Sequence, residues 1–337
     1  MGGVFLGPLS PEDKQPIAQE NLTAPPGHVF VISGTMAVRL LLRAVGLQPG
    51  ARVAIPALIC PSVVWAIRAE KMVPAFMDID GDGFWMLFDP VRFECSSLNA
   101  ILLPHMYGLL HPQTAEVMAF AKDRGLPLLH DAAQSYGLVW QGKSLITCNQ
   151  GGFVSFGAGK STTAASGALV YGLPEAMVKK LKLEHCLRYN LQASHFLAER
   201  MGIPKPWRWY HRHPPSGARA SRLQVRAANL VLRRFADIET HRRMHWHHLD
   251  AILKGDVFGL SKNRVSAYKY VVHRPSHSWS PPPELAAVPW RRVEKYVASP
   301  DLPHYDTWMG YLYEFSTERS LEFFSEHLKN GQERGKR

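Results

Sequence analysis

From about residue 28 to residue 171, short apolar runs alternate with stretches whose apolar residues recur at helical spacing. That alternation predicts a mainly parallel sheet covered by helices. Candidate strands are His28–Ile32, Arg52–Pro56, Val73–Met77, Asn99–Leu103, Pro127–His130, Gly152–Ser155 and Ala168–Val170. Between them Thr35–Val45, Pro61–Lys71 and Thr114–Lys122 carry the helical pattern. The expected fold class is α/β, with a doubly wound body.

After Pro174 the pattern changes to long basic and aromatic helical stretches, Glu175–Met201 and about Arg219–Leu253, separated by the Pro- and aromatic-rich Pro204–Pro215. Ser266–His273 reads as a strand and Ser276–Pro283 as a loop. The expected organisation is a large domain over residues 1–240 and a smaller C-terminal α+β domain over 241–337.

Composition adds limits. Apolar residues make up 46% and charged residues 20% of the 337, as in ordinary globular proteins. No apolar run approaches the ~18 residues that span a bilayer. The first residues carry neither a basic leader nor a long apolar segment, so the expected location is the cytoplasm, with no membrane contact. Cys60, Cys95, Cys148 and Cys186 are widely spaced and read as reduced thiols. The net charge of +11 lies mostly beyond Val178, which suits a phosphorylated or acidic ligand better than nucleic acid.

Three short motifs carry candidate chemistry. Ser33-Gly34-Thr35 lies between a strand and a helix, where free N–H groups serve either a bound phosphate or only an N-cap. Leu128 to Gln134 is an apolar strand ending in Asp131 at the carboxyl edge of the sheet, where ligands of such sheets gather. That carboxylate either caps the next segment or meets a ligand. The third, Phe153 to Thr162, ends in Gly159-Lys160-Ser161 like a nucleotide-binding loop. The spacing refutes that reading, because Val154 stands where the first glycine is required. Together the three supply what pyridoxal 5′-phosphate needs: a lysine for covalent attachment, an acid at the ring nitrogen and an anion cradle.

Ser33-Gly34-Thr35, Pro104-His105-Met106-Tyr107-Gly108, Asp131-Ala132-Ala133-Gln134 and Ser155-Phe156 followed by Lys160 resemble, in order, the motifs of the DegT/StrS-type nucleotide-sugar aminotransferases. The likeness covers most of residues 28 to 275. It implies the aspartate-aminotransferase fold and pyridoxal phosphate held covalently by Lys160. It further implies Asp131 at the pyridine nitrogen, Gln134 near the phenolic oxygen, and Ser33, Gly34, Thr35 and Ser155 around the phosphate. His105 falls in a motif beside the cofactor. The family works as a homodimer with shared sites, so Arg219 and Ser221 are expected to serve the neighbouring subunit.

The chain departs from that pattern in places. Ile59-Cys60 stands where the family has a threonine and a ring-stacking aromatic, which puts Cys60 over the cofactor. Ser166-Gly167-Ala168 replaces an acid-Gly-Gly stretch, and Gly217 replaces an asparagine. The expected function is amino-group transfer from a donor amino acid to a keto-sugar or related carbonyl compound. The alternatives are another pyridoxal phosphate reaction, such as decarboxylation, elimination or oxidation, and a cofactor-binding regulatory relative.

Two other clusters read as structure. His241, His245 and His248 share a helix face, but Arg242 and Arg243 would repel a metal ion, so a solvated or interface-facing basic helix is expected. Trp207, Trp209 and Tyr210 among basic residues fit a dimer contact or lid better than a nucleic-acid surface.

Overall fold

Apolar runs that are buried on both faces form parallel strands, because covering helices shield both sides while neighbouring strands satisfy the backbone. The computed structural model describes residues 28–79, 85–147, 151–157, 160–162, 164, 166–180, 219–220, 222–253, 269–273, 288–289 and 312–316. Its strands are β1 (Val29–Val31), β2 (Arg52–Pro56), β3 (Val73–Met77), β4 (Ala100–Pro104), β5 (Leu128–Asp131), β6 (Val139–Trp140), β7 (Lys143–Ser144), β8 (Gly152–Ser155) and β9 (Ala168–Tyr171), followed by β10 (Lys269–His273), β11 (Val288–Pro289) and β12 (Leu312–Ser316). The main sheet has seven strands in the order β1-β9-β8-β5-β4-β2-β3. From β3 to β8 every pairing is parallel, and β9 runs antiparallel to both β8 and β1.

The helices are α1 (Gly34–Ala44), α2 (Pro61–Ala69), α3 (Pro90–Cys95), α4 (Thr114–Asp123), α5 (Glu175–Lys180), α6 (Arg222–Arg233) and α7 (Phe235–Leu253). Strand residues alternate between two apolar layers. Val53, Ile55, Ala100, Leu102, Leu129 and Phe153 pack with α1 and α2. Ala54, Ile101, Leu103 and Leu128 face the other way, onto α3 and α4. This two-sided covering is the doubly wound body that the sequence predicts.

Local chemistry sets the ends of the helices. Ser33 caps α1 by accepting from Met36 N (3.2 Å), Pro61 opens α2, and Asp89 caps α3 through Val91 N (2.9 Å). Arg39 and Arg43 of α1 clamp Glu70 at the end of α2, at 2.5 and 2.7 Å. Burial pushes the Glu70 carboxyl up, but hydrogen bonds and charge from the two guanidinium groups outweigh it and leave the pKa below its ordinary value.

The structure shifts β4 and β5 one residue later than the sequence predicts, so Asp131 closes the strand instead of following it. It also divides the predicted Arg219–Leu253 helix at Arg234, next to which Phe235 packs edge-on against Tyr136, 4.7 Å between ring centres. The short helix α3 and the β6–β7 hairpin carry too few residues to show a period. The hairpin turn is Gln141-Gly142, both at positive φ, as such two-residue loops require. Strands β10, β12 and β11 form a separate antiparallel sheet. Residues 181–201, Pro204–Pro215 and Ser276–Pro283 lie outside the described residues.

Candidate active site at the carboxyl edge of the sheet

Parallel strands deliver all their following loops to one edge, and most of the sequence-predicted site residues lie there. Ser33 follows β1, Cys60 lies beyond β2, His105 follows β4, Gln134 follows β5, and Lys160 follows β8. Alternation then selects the face. Asp131 lies two residues after Leu129, and Ser155 two after Phe153, so both share the layer of α1.

At the α1 end, Gly34 lies against Ser155. A Cβ built on Gly34 would stand 3.3 Å from Ser155 Oγ and 3.4 Å from the Phe153 ring, so any larger residue would have to displace these side chains by a few tenths of an ångström. Ser155 Oγ also accepts from Gly157 N at 3.3 Å. Among the described residues the first-turn N–H groups of Gly34 and Thr35 have no protein acceptor. Helix α1 therefore presents two free donors and the positive end of its dipole beside a serine hydroxyl.

Asp131 is buried, and its Oδ1 accepts from Ala133 N at 2.9 Å. Burial pushes the carboxyl above its ordinary pKa, and the Ala133 N–H and the Lys160 ammonium offset this only in part. Lys160 is thus within electrostatic reach of Asp131. The lysine loop is held tightly: Lys160 N donates to Gly157 O (3.2 Å), Thr162 Oγ1 to Ser155 O (2.9 Å) and Ala164 N to Phe156 O (2.9 Å).

Gln134 Oε1 accepts from Tyr107 N at 3.0 Å. Because a backbone N–H can only donate, this contact fixes the side-chain amide with its NH2 end directed elsewhere. Tyr107 is buried at φ +56°, a left-handed conformation uncommon for a tyrosine, and Gly108 follows at +84°. Ser135 Oγ ties that turn down by accepting from Gly108 N (3.1 Å) and donating to His105 O (2.5 Å).

The His105 ring turns away from this layer. It stacks on His130 with 5.2 Å between ring centres, and His130 lies on the opposite face of β5 from Asp131. His105 Nδ1 accepts from His111 N (3.1 Å), so the proton resides on Nε2, which donates to His130 Nδ1 (2.9 Å). Burial, and then the neighbouring His130 and His111, hold its pKa well below the ordinary histidine value. Both ring nitrogens of His105, the residue expected beside a cofactor, are thus engaged inside the protein.

Two further expected residues have local engagements. Cys60 is exposed at the start of α2, its Sγ 3.1 Å from Ser62 Oγ. Arg219 bridges to Val31 and donates through Nη2 to Val178 O at 2.7 Å. The basic helix expected to be solvated or interface-facing exposes His241 and Arg243 but turns Arg242 inward. Arg242 is 2% exposed and donates to Ser161 O at 2.6 Å, so it packs against the lysine loop. Gln224 similarly joins Ser166 Oγ (2.8 Å) and Ile32 O (3.3 Å). A signal for Arg242 was present in the sequence, because Ile238, Arg242 and Trp246 recur every four residues along one helix face, and all three are buried. Among the described residues no cluster of metal ligands occurs, and no helix is long and apolar enough to cross a membrane.

Fold and site together define a doubly wound α/β protein whose sheet edge holds a lysine, a buried acid and a helix N-terminus beside a serine hydroxyl. The chain belongs to the DegT/DnrJ/EryC1/StrS aminotransferase family, whose model matches residues 26–276. It is 31% identical over 157 residues to GDP-perosamine synthase of Escherichia coli O157:H7, covering 45% of this chain and 43% of the relative. It is 28% identical over 228 residues to 3-amino-5-hydroxybenzoate synthase of Amycolatopsis mediterranei, covering 66% and 55%. The chain spans about half the length of the curated relatives it matches. Among solved structures, DesV of S. venezuelae superposes with a TM-score of 0.69 at 17% identity over 92% of this chain and 85% of that one. A 3-amino-5-hydroxybenzoic acid synthase gives 0.68 at 21% identity over 90% and 84%. These likenesses establish the aminotransferase fold.

The residues present fit pyridoxal phosphate, the cofactor the family implies. A buried carboxylate with one backbone donor suits a cationic ring nitrogen. The open N–H groups of α1 suit a phosphate, and a lysine within reach of the carboxylate suits covalent attachment.

Proposed function

We propose that this protein is a pyridoxal phosphate-dependent aminotransferase that moves an amino group from a donor amino acid to a keto-sugar or related carbonyl compound. The observation that carries the reading is that Lys160, on the loop after β8, lies near enough to buried Asp131 for its charge to act on that carboxyl, in the same layer as the Gly34–Ser155 approach. When bound, the cofactor supplies an electron sink for carbanion formation at the amino-bearing carbon. Lys160 holds it covalently and, once released, its Nζ takes and returns the proton at that carbon. Asp131 keeps the ring nitrogen protonated by its charge. Ser33, Gly34, Thr35 and Ser155 hold the phosphate, Gln134 orients the phenolic side, and Cys60 covers the ring. His105 supports the turn that fixes Gln134.

The carbonyl substrate is inferred from relatives named for amino-sugar and aminobenzoate synthesis, together with the basic excess of the chain. A cytoplasmic homodimer, with Arg219 serving the neighbouring site, belongs to the same proposal. So does the division into 1–240 and 241–337, with α7 crossing between the two parts.

The test is spectroscopic. Purified protein mixed with pyridoxal phosphate should develop a visible band that glutamate or glutamine bleaches, and Lys160→Ala should lack both band and turnover. An unchanged band in Lys160→Ala would sink the proposal.

A further inference from the structure

Helix α7 reaches the lysine loop through one buried cation. Arg242 Nη1 donates to Ser161 O at 2.6 Å, and Ser161 is the residue next to Lys160. Ser161 is fully buried, yet its hydroxyl has no hydrogen-bond partner among the described residues. Its carbonyl is the atom that Arg242 holds. The same Nη1 lies 3.6 Å from Glu239 Oε1, with both side chains buried, so the guanidinium is held from one side by its own helix while it grips the loop. Burying such a pair costs desolvation, which only good geometry and added hydrogen bonds offset. A surface arginine would have done for solubility. This one sits on the apolar stripe between Ile238 and Trp246.

We propose that Arg242 is a positioning residue for Lys160: it fixes the Ser161 carbonyl and so sets where the lysine Nζ stands relative to Asp131. The proposal rests on the reading of Lys160 as the cofactor lysine. Helix α7 also packs against β10 of the C-terminal sheet. The anchor therefore links that sheet to the lysine loop through one rigid element.

Two variants separate anchor from ion pair. Arg242→Lys keeps a cation beside Glu239, but its shorter side chain, held one turn away by that partner, does not reach Ser161 O. Arg242→Met with Glu239→Gln removes both charges together, leaving no buried carboxylate without a cation. The measurement is the rate at which apo protein captures pyridoxal phosphate, where Lys160 Nζ forms a C=N bond and the aldehyde oxygen leaves as water, followed as growth of the visible band. A second measurement is equilibrium affinity for pyridoxine 5′-phosphate, which carries the phosphate and ring but no aldehyde.

Both variants should capture at least tenfold more slowly than the unaltered protein, with pyridoxine phosphate affinity within twofold. Turnover should fall in kcat while KM for the amino donor stays within twofold. Capture at the unaltered rate by Arg242→Lys overturns the proposal, and this variant decides the matter even if the double variant does not fold. Pyridoxine phosphate affinity that falls in step with capture also overturns it, by showing general damage to the site. Failure of the underlying reading is separately visible, because then unaltered protein shows no Lys160-dependent band at all.

Discussion

At the scale of single residues, the site depends on which face of a strand a side chain occupies. Asp131 and Ser155 share a layer with α1, whereas His130 and His105 pack on the other side, although His130 and Asp131 are adjacent in sequence. Asp131→Asn preserves the acceptor for Ala133 N but removes the charge, and ring-nitrogen protonation depends on that charge. Its turnover should fall by roughly 100-fold or more, about 2.7 kcal/mol, with an unchanged circular dichroism spectrum. Near-normal turnover with bound cofactor would show that another group serves the nitrogen. Cys60 offers a second test. Its thiol is exposed and, among the described residues, meets Ser62 Oγ, so Cys60→Phe should alter stability by no more than about 0.5 kcal/mol. A phenyl ring stacked on the cofactor should tighten binding by up to roughly tenfold. Titration of cofactor into both apo proteins measures this, and equal affinities would remove Cys60 from the ring.

At the scale of elements, strand β8 has no room for a side chain at its start. A Cβ on Gly152 would stand 2.3 Å from the Tyr171 hydroxyl and 2.6 Å from His130 O, and the second of these is backbone that cannot swing away. Gly152→Ala should therefore lower stability by about 3 kcal/mol or more, read as a reduced urea midpoint, and an unchanged midpoint would contradict the register between β8 and β9. The strands themselves were legible: β2, β3 and β8 match the predicted ranges residue for residue, because apolar runs bounded by turn residues leave little freedom. The β6–β7 hairpin and α3 were not, since their two and six residues are too short for a period. Helix α7 was legible as a helix but less so in its exposure, because its charges suggested a solvated or interface-facing helix and the spacing of Ile238, Arg242 and Trp246 was the one sign of which arginine turns inward.

At the scale of the whole molecule, the buried histidines make stability depend on pH. His111 is held neutral by burial, its pKa pushed down to about 4 despite the hydrogen bond to Met86 O, and His105 is pushed lower than usual as well. Between about pH 6.5 and pH 4 the unfolded chain binds a proton that folded His111 refuses. The stability is therefore fully present above pH 6.5 and lost as pH falls toward 4, by up to roughly 3 kcal/mol from His111 alone. His111→Gln keeps a donor for Met86 O but cannot titrate, so its urea stability should change less between pH 7 and pH 4.5 than that of the unaltered protein. Equal losses in the two proteins would refute this account. The sequence by itself determined the parallel sheet and the carboxyl edge on which Lys160, Asp131 and the Ser33–Thr35 turn lie, because apolar periodicity and the ends of strands are local properties. Only the tertiary structure decided that His105 turns from that layer, that Gln134 is fixed by a left-handed Tyr107, and that Arg242 grips the lysine loop. Those outcomes depend on which segments far apart in the chain pack together, and on where a buried polar group finds its partner once water is excluded.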